Sequence, residues 1–109
     1  MRIFHDGEIT KATTISGPYH NYLGLVFSNT NTLCEVVIEA VHLQSDHGQP
    51  ERVDPERLRA TVIDAIEQVN REQGSKLFVS KIQYVPTDSP RFETYAMLAR
   101  AIGESKLKR

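Results

Sequence analysis

Four stretches of this chain concentrate side chains able to do chemistry. The first is Tyr19-His20-Asn21-Tyr22, which follows directly on Gly17-Pro18. An imidazole titrates near neutral pH, so His20 is a candidate general base. Asn21 is a candidate to hold a carbonyl or to fix the His20 tautomer. Tyr19 and Tyr22 would line such a pocket. The plainer reading of the same residues is a loop that its tyrosines anchor to the core.

The second stretch holds His42, Asp46 and His47, with Glu39 just before. Imidazole and carboxylate are ligands of zinc and similar metals. Alternation along a strand sends Glu39 and His42, three apart, to opposite faces. A metal would therefore need His42 together with Asp46 or His47, with His20 as a further candidate ligand from elsewhere in the chain. Two solvent-facing histidines at a strand end account for the pattern more simply, and no metal site is expected. The third is Cys34, which alternates with Val36, Ile38 and Ala40 and so belongs on a core face as a small hydrophobe. The fourth is Thr87-Asp88-Ser89-Pro90, ahead of a helical stripe. Free N–H groups there could hold an anion, assisted by Lys81 or Arg91. Asp88 would repel a phosphate, and helix capping accounts for these residues. Glu35 and Glu39 are about 13 Å apart along one strand face, too far for an acid–base pair. No P-loop, dinucleotide fingerprint or nucleophile elbow is present, so no cofactor is expected and enzyme activity is left open.

The elements that must position these groups follow from periodicity. Asp6-Gly7 is a hairpin signal of type I′ between strands 2–5 and 8–15. Strand 22–28 follows, and residues 33–44 form the longest strand candidate. Asp54 caps a helix over 54–73 with Pro55 in its first turn, an apolar stripe from Leu58 to Val69, and Gly74 as its stop. Strand 76–85 ends at Pro86. A second helix, 90–103, carries Phe92, Tyr95, Ala96, Ala99 and Ile102 and closes at Gly103. The order β-β-β-β-α-β-α predicts an α+β fold: a mostly antiparallel sheet of four or five strands with both helices on one face.

The chain has 109 residues, 25% of them charged, a net charge of -1 and one cysteine. That is one domain without a disulfide, and the balance excludes a strongly basic nucleic-acid binder. Residues 1–53 carry a net of -3 and residues 54–109 a net of +2. Arg100, Lys106, Lys108 and Arg109 oppose only Glu104, so 104–109 reads as a frayed basic tail. With no apolar run of signal-peptide or membrane-spanning length, a cytoplasmic location is expected.

Both long strands are apolar on two faces. Val36, Ile38, Phe78 and Ile82 suit the helix-covered side. The opposite positions hold Val37, Val41, Leu43, Leu77, Val79 and Val85. Burying one such side chain is worth roughly 1.5–3 kcal/mol, so leaving all of them wet forfeits a sizeable sum. Either these are ordinary scattered surface residues, or the N-terminal hairpin, a second copy of the chain or another ligand or partner covers them. A symmetric dimer through Val37, Val41, Leu43, Val79 and Val85 is the leading expectation.

From the element order over 8–103, the chain resembles the ribosomal-protein-S5 domain-2-like topology, which the fourth domain of translation factor G shares. The run Ile82-Gln83-Tyr84-Val85-Pro86-Thr87-Asp88-Ser89 is similar to the strand and turn found there. The resemblance implies an RNA- or ribosome-contacting domain. Three functions are thus carried forward: a self-associating binding module, a small enzyme using His20, and an RNA-contacting domain.

Overall fold

The computed structural model describes residues 1–16, 19–30, 35–42 and 48–108. Strand β1 (Arg2–Asp6) pairs antiparallel with β2 (Ile9–Ser16), and Asp6 faces Ile9 across Gly7 and Glu8. Of the two turn residues, Gly7 takes a positive φ, 62°, and Glu8 does not. The turn therefore lies one residue later than predicted and is of the glycine-first kind, because type I′ needs positive φ at both central residues. Strand β3 (Tyr19–Ser28) pairs antiparallel with β2 on one side and with β5 (Phe78–Tyr84) on the other. Strand β4 (Val37–Ala40) runs parallel to β5, and helix α1 (Pro55–Gln73) is the crossover between them. Helix α2 (Phe92–Leu107) completes the chain. The sheet order is β1-β2-β3-β5-β4, an α+β architecture of the predicted class. Among the described residues, no helix is long and apolar enough to cross a membrane.

Strand β4 is much shorter than the predicted 33–44. Cys34, Leu43, Asp46 and His47 lie outside the described residues. Helix α1 matches its sequence signals closely. The Asp54 carboxylate accepts the Glu56 N–H at 3.1 Å, and Gly74 at φ 64° returns its N–H to the Asn70 carbonyl. Helix α2 departs from them. It does not stop at Gly103 but runs to Leu107, so 104–107 are helical. Gly103 is buried, and a β-carbon on it would sit 3.0 Å from Ile66 Cδ1. This glycine lets α2 approach α1. The close packing offsets the ~1 kcal/mol that glycine costs inside a helix.

The helices cover one face of the sheet, α2 over β1, β2 and β3 and α1 beside it over β5. Leu23, Leu25, Ile82, Leu98 and Ile102 are fully buried between the layers. The β3–β5 pairing carries a bulge. Val26 faces Lys81, but Phe27 faces Val79, leaving Ser80 as the extra residue. The Ser80 hydroxyl donates to the Val26 carbonyl at 3.1 Å. An extra residue reverses the inside–outside alternation beyond it. Val79, predicted on the outer face, is thereby turned into the core and is 3% exposed. Val85, also predicted for an interface, is 4% exposed within the chain itself. Leu77 likewise packs against the core.

Replacing Gly103 with Leu should overpack the helix crossing. The expected loss is about 2–3 kcal/mol of stability, read as a lower urea midpoint at unchanged slope.

Candidate functional site

The start of β3 is clamped to the turn between β5 and α2. The Asn21 amide donates to the Ser89 carbonyl at 2.8 Å. The Ser89 N–H returns to the His20 carbonyl at 3.2 Å. The Tyr22 N–H donates to the Asp88 carboxylate at 2.8 Å. The Asp88 carboxylate is thus spent on β3, Ser89 meets β3 through its backbone, and Arg91 stands at the cap position without a side-chain capping hydrogen bond. β3 needs partners for its backbone where its ladder with β5 runs out, and Asp88 supplies one.

Beside this clamp is an open depression of about 270 Å³ lined by Thr13, Ile15, His20, Tyr22, Val85 and Asp88, among others. The structure places His20, Asn21, Tyr22 and Asp88 around one depression. His20 is exposed, and among the described residues none hydrogen-bonds its ring. Tyr19 is turned elsewhere: its ring lies 4.9 Å under the Arg91 guanidinium. Arg57 stacks in the same way on Phe92, at 4.2 Å. Beneath the clamp, Asn21 Oδ1 and the Tyr95 hydroxyl are buried with no hydrogen-bond partner among the described residues. The Asn21 amide acts on the Tyr95 phenol without the geometry of a hydrogen bond, and burial dominates, pushing the Tyr95 pKa well up.

The second candidate surface is the sheet face away from the helices. The N-terminal hairpin continues the sheet as its edge and does not fold over this face. The registers set out two cross-strand rows. One runs Asp6, Ile9, Val26, Lys81, Val37, and the next runs Phe4, Lys11, Gly24, Gln83, Glu39. In the second row Gly24 has a definite role. The Tyr22 hydroxyl would be only 2.8 Å from a β-carbon there. The phenol reaches past Gly24 and donates to Gln83 Oε1 at 2.9 Å. Gln83 in turn donates to the Glu39 carboxylate, which Lys81 approaches at 3.7 Å. Burial raises the Tyr22 pKa, and the Glu39 and Asp6 charges add to the rise. Lys11 pairs with Asp6 at 3.2 Å. Around this flat polar ladder Phe4 and Val37 stay 40% and 52% exposed.

The predicted interface is thus reduced to Val37 and the half-buried Val41, with Leu43 outside the described residues. Ile9 and Phe4 stand on the outer face where Val79 and Val85 were expected, and Val26, also on that face, is 8% exposed. Strand alternation in 22–26 carried that information, but only once the pairing of β2 with β3 was known. His42 is exposed. Among the described residues, no three His, Cys, Asp or Glu side chains converge as metal ligands would. Arg100, ahead of the expected tail, is held by Glu72 and Gln68 of α1.

Fold and surface together define an α+β domain whose described residues cover the sheet on one side only. No protein-family model, curated protein or solved structure matches the chain.

Tyr95→Phe should leave the fold intact and be neutral or stabilising by about 1 kcal/mol, because it removes an unpaired buried hydroxyl. The raised Tyr95 pKa adds an alkaline signature. The unfolded chain releases this proton near pH 10 while the folded one retains it, so stability is full below that pH and is lost as pH climbs above it. Thermal melts across alkaline pH should show a shallower decline for Tyr95→Phe than for the wild type.

Proposed function

We propose that the chain is a binding and assembly module that associates with a second copy through the open face of its sheet. One observation supports this reading above others. The hairpin extends the sheet while both helices pack on the same side, so the described chain leaves a five-stranded face without cover. That face is flat at its centre, where Tyr22 lies beside Gly24, and carries exposed Phe4 and Val37 toward opposite edges. Its polar side chains are engaged with one another in the Tyr22–Gln83–Glu39–Lys81 ladder, which suits a contact surface better than a reaction centre. Closed two-fold pairs are the commonest way for such a face to be covered.

The enzyme reading has the depression in its favour, since His20, Thr13 and Asp88 border one open volume. Small-molecule binding there would appear as His20 and Thr13 resonance shifts that vanish in His20→Ala. The RNA-contact reading has in its favour the basic C-terminal end, where Lys106 and Lys108 are exposed.

Sedimentation velocity over a concentration series tests the proposal. The wild type should shift toward dimer by roughly millimolar concentration, the range in which a contact of about -4 kcal/mol populates. Val37→Asp should remain monomeric there while keeping the native circular dichroism spectrum. A wild type that stays monomeric throughout would sink the reading.

A further inference from the structure

The sheet also ends in an open edge. β1 is its outermost strand, every residue of it is exposed, and the described chain pairs it on one side only. We infer that this edge joins β1 of a second copy, antiparallel and centred on Phe4, so that two sheets continue into one. The contact is separate from the open face and does not rest on it.

The edge is apolar on both sides. Met1, Ile3, Phe4 and Met97 are 60%, 37%, 40% and 46% exposed, and all four border this one strand. Met1 and Met97 line an open depression of about 450 Å³ against α2. By strand alternation Ile3 lies on the same side as Met1 and as His5, whose ring reaches the Ser105 hydroxyl of α2 at 3.3 Å. Phe4 points to the other side.

The charges of β1 fit a second copy of β1. A two-fold axis normal to the sheet keeps every side chain on its own face, so residues facing across it share one face. Centring on Phe4 sets Arg2 opposite the partner's Asp6, twice by symmetry, and pairs the whole strand. Centring on Ile3 sets Arg2 against Phe4 and leaves Asp6 beyond the partner's first residue. Centring on His5 sets Phe4 against Asp6 and carries Arg2 to the turn, where Glu8 has already left the edge. Charges on an edge strand ordinarily deter pairing. Here their opposite signs, placed evenly about Phe4, deter the other registers and suit this one. Among the described residues Arg2 has no ion pair. Asp6 touches Lys11 at 3.2 Å but keeps its side chain 72% exposed, so it is open to a second cation.

The backbone agrees. A two-residue turn makes Asp6 and Ile9 a hydrogen-bonded pair, so Arg2, Phe4 and Asp6 direct their N–H and C=O groups to β2. Ile3 and His5 direct theirs to the open edge. In the Phe4-centred register Ile3 lies opposite the partner's His5, and the two residues exchange both bonds, about four in all. The Phe4 pair and the two Arg2–Asp6 pairs then fall at the other kind of position, where side chains stand closer. So short a strand makes a weak contact, with a Kd above roughly millimolar on its own.

Disulfide trapping tests the pairing. The background carries Cys34→Ser, which removes the native thiol, and Val37→Asp, which disables the open face, so the result is independent of the face reading. Linkage rates are divided by each thiol's reactivity toward a small disulfide reagent. Phe4→Cys should link to itself at least about tenfold faster than Ile3→Cys or His5→Cys. Its α-carbons meet at about 4.5 Å, whereas Ile3 or His5 lies about 8 Å from its own copy, beyond disulfide reach. Adding Arg2→Glu should slow the Phe4→Cys linkage about tenfold at low salt. Adding Asp6→Arg to that chain should restore it to within about threefold. All variants should share one circular dichroism spectrum. If Phe4→Cys does not fold, a mixture of Arg2→Cys and Asp6→Cys chains decides, with the mixed disulfide expected to outrun either self-linked product. Equal rates at the three positions, fastest linkage at Ile3→Cys or His5→Cys, or indifference to the charge changes would overturn the pairing.

Discussion

The pairing of β3 with β5 holds the molecule together. β3 carries the hairpin on one edge. β5 receives the α1 crossover, holds β4 in parallel and hands the chain to α2. The ladder between them is tied at both ends by side chains rather than by backbone alone. At one end the Ser80 hydroxyl closes the bulge onto Val26. At the other, Asn21 and Asp88 fasten the β5–α2 turn to the start of β3. These contacts fix where α2 begins and which side of the sheet it covers.

The bulge has the larger consequence. A strand exposes alternate residues to alternate faces, so one inserted residue changes the side of everything beyond it. Because Ser80 is inserted, Val79 and Ile82 both face the helices although they are an odd number of residues apart. The core gains a valine and the open face loses one. What remains outside is less apolar than two-faced strands would leave, and it is organised around Gly24. The Tyr22 phenol occupies the space a side chain would fill there, and the Gln83–Glu39–Lys81 chain continues the line to the far edge.

The same economy appears between the helices. Gly103 is the residue type of a helix stop, yet it lies inside α2 with Ile66 close to where a β-carbon would stand. Local signals of this type are weak priors that tertiary packing overrides. Ser89-Pro90 behaves alike. It has the form of a helix start, but Ser89 is drawn into backbone contacts with His20 and Asn21, and the helix begins at Phe92.

The sequence by itself determined the element order, the α+β class and the whole of α1. Those follow from local chemistry: the Asp54 carboxylate reaching Glu56, the left-handed Gly74, and the stripe from Leu58 to Val69. It also brought His20, Asn21 and Tyr22 to notice as neighbours. Only the tertiary structure decided that Asp88 joins them, that Val79 and Val85 are interior, and that the hairpin extends the sheet instead of folding over its outer face. Each of those facts depends on residues far apart in the chain, 66 positions for Tyr22 and Asp88. Strand register and helix contact are set by packing over the whole domain, which local periodicity does not encode.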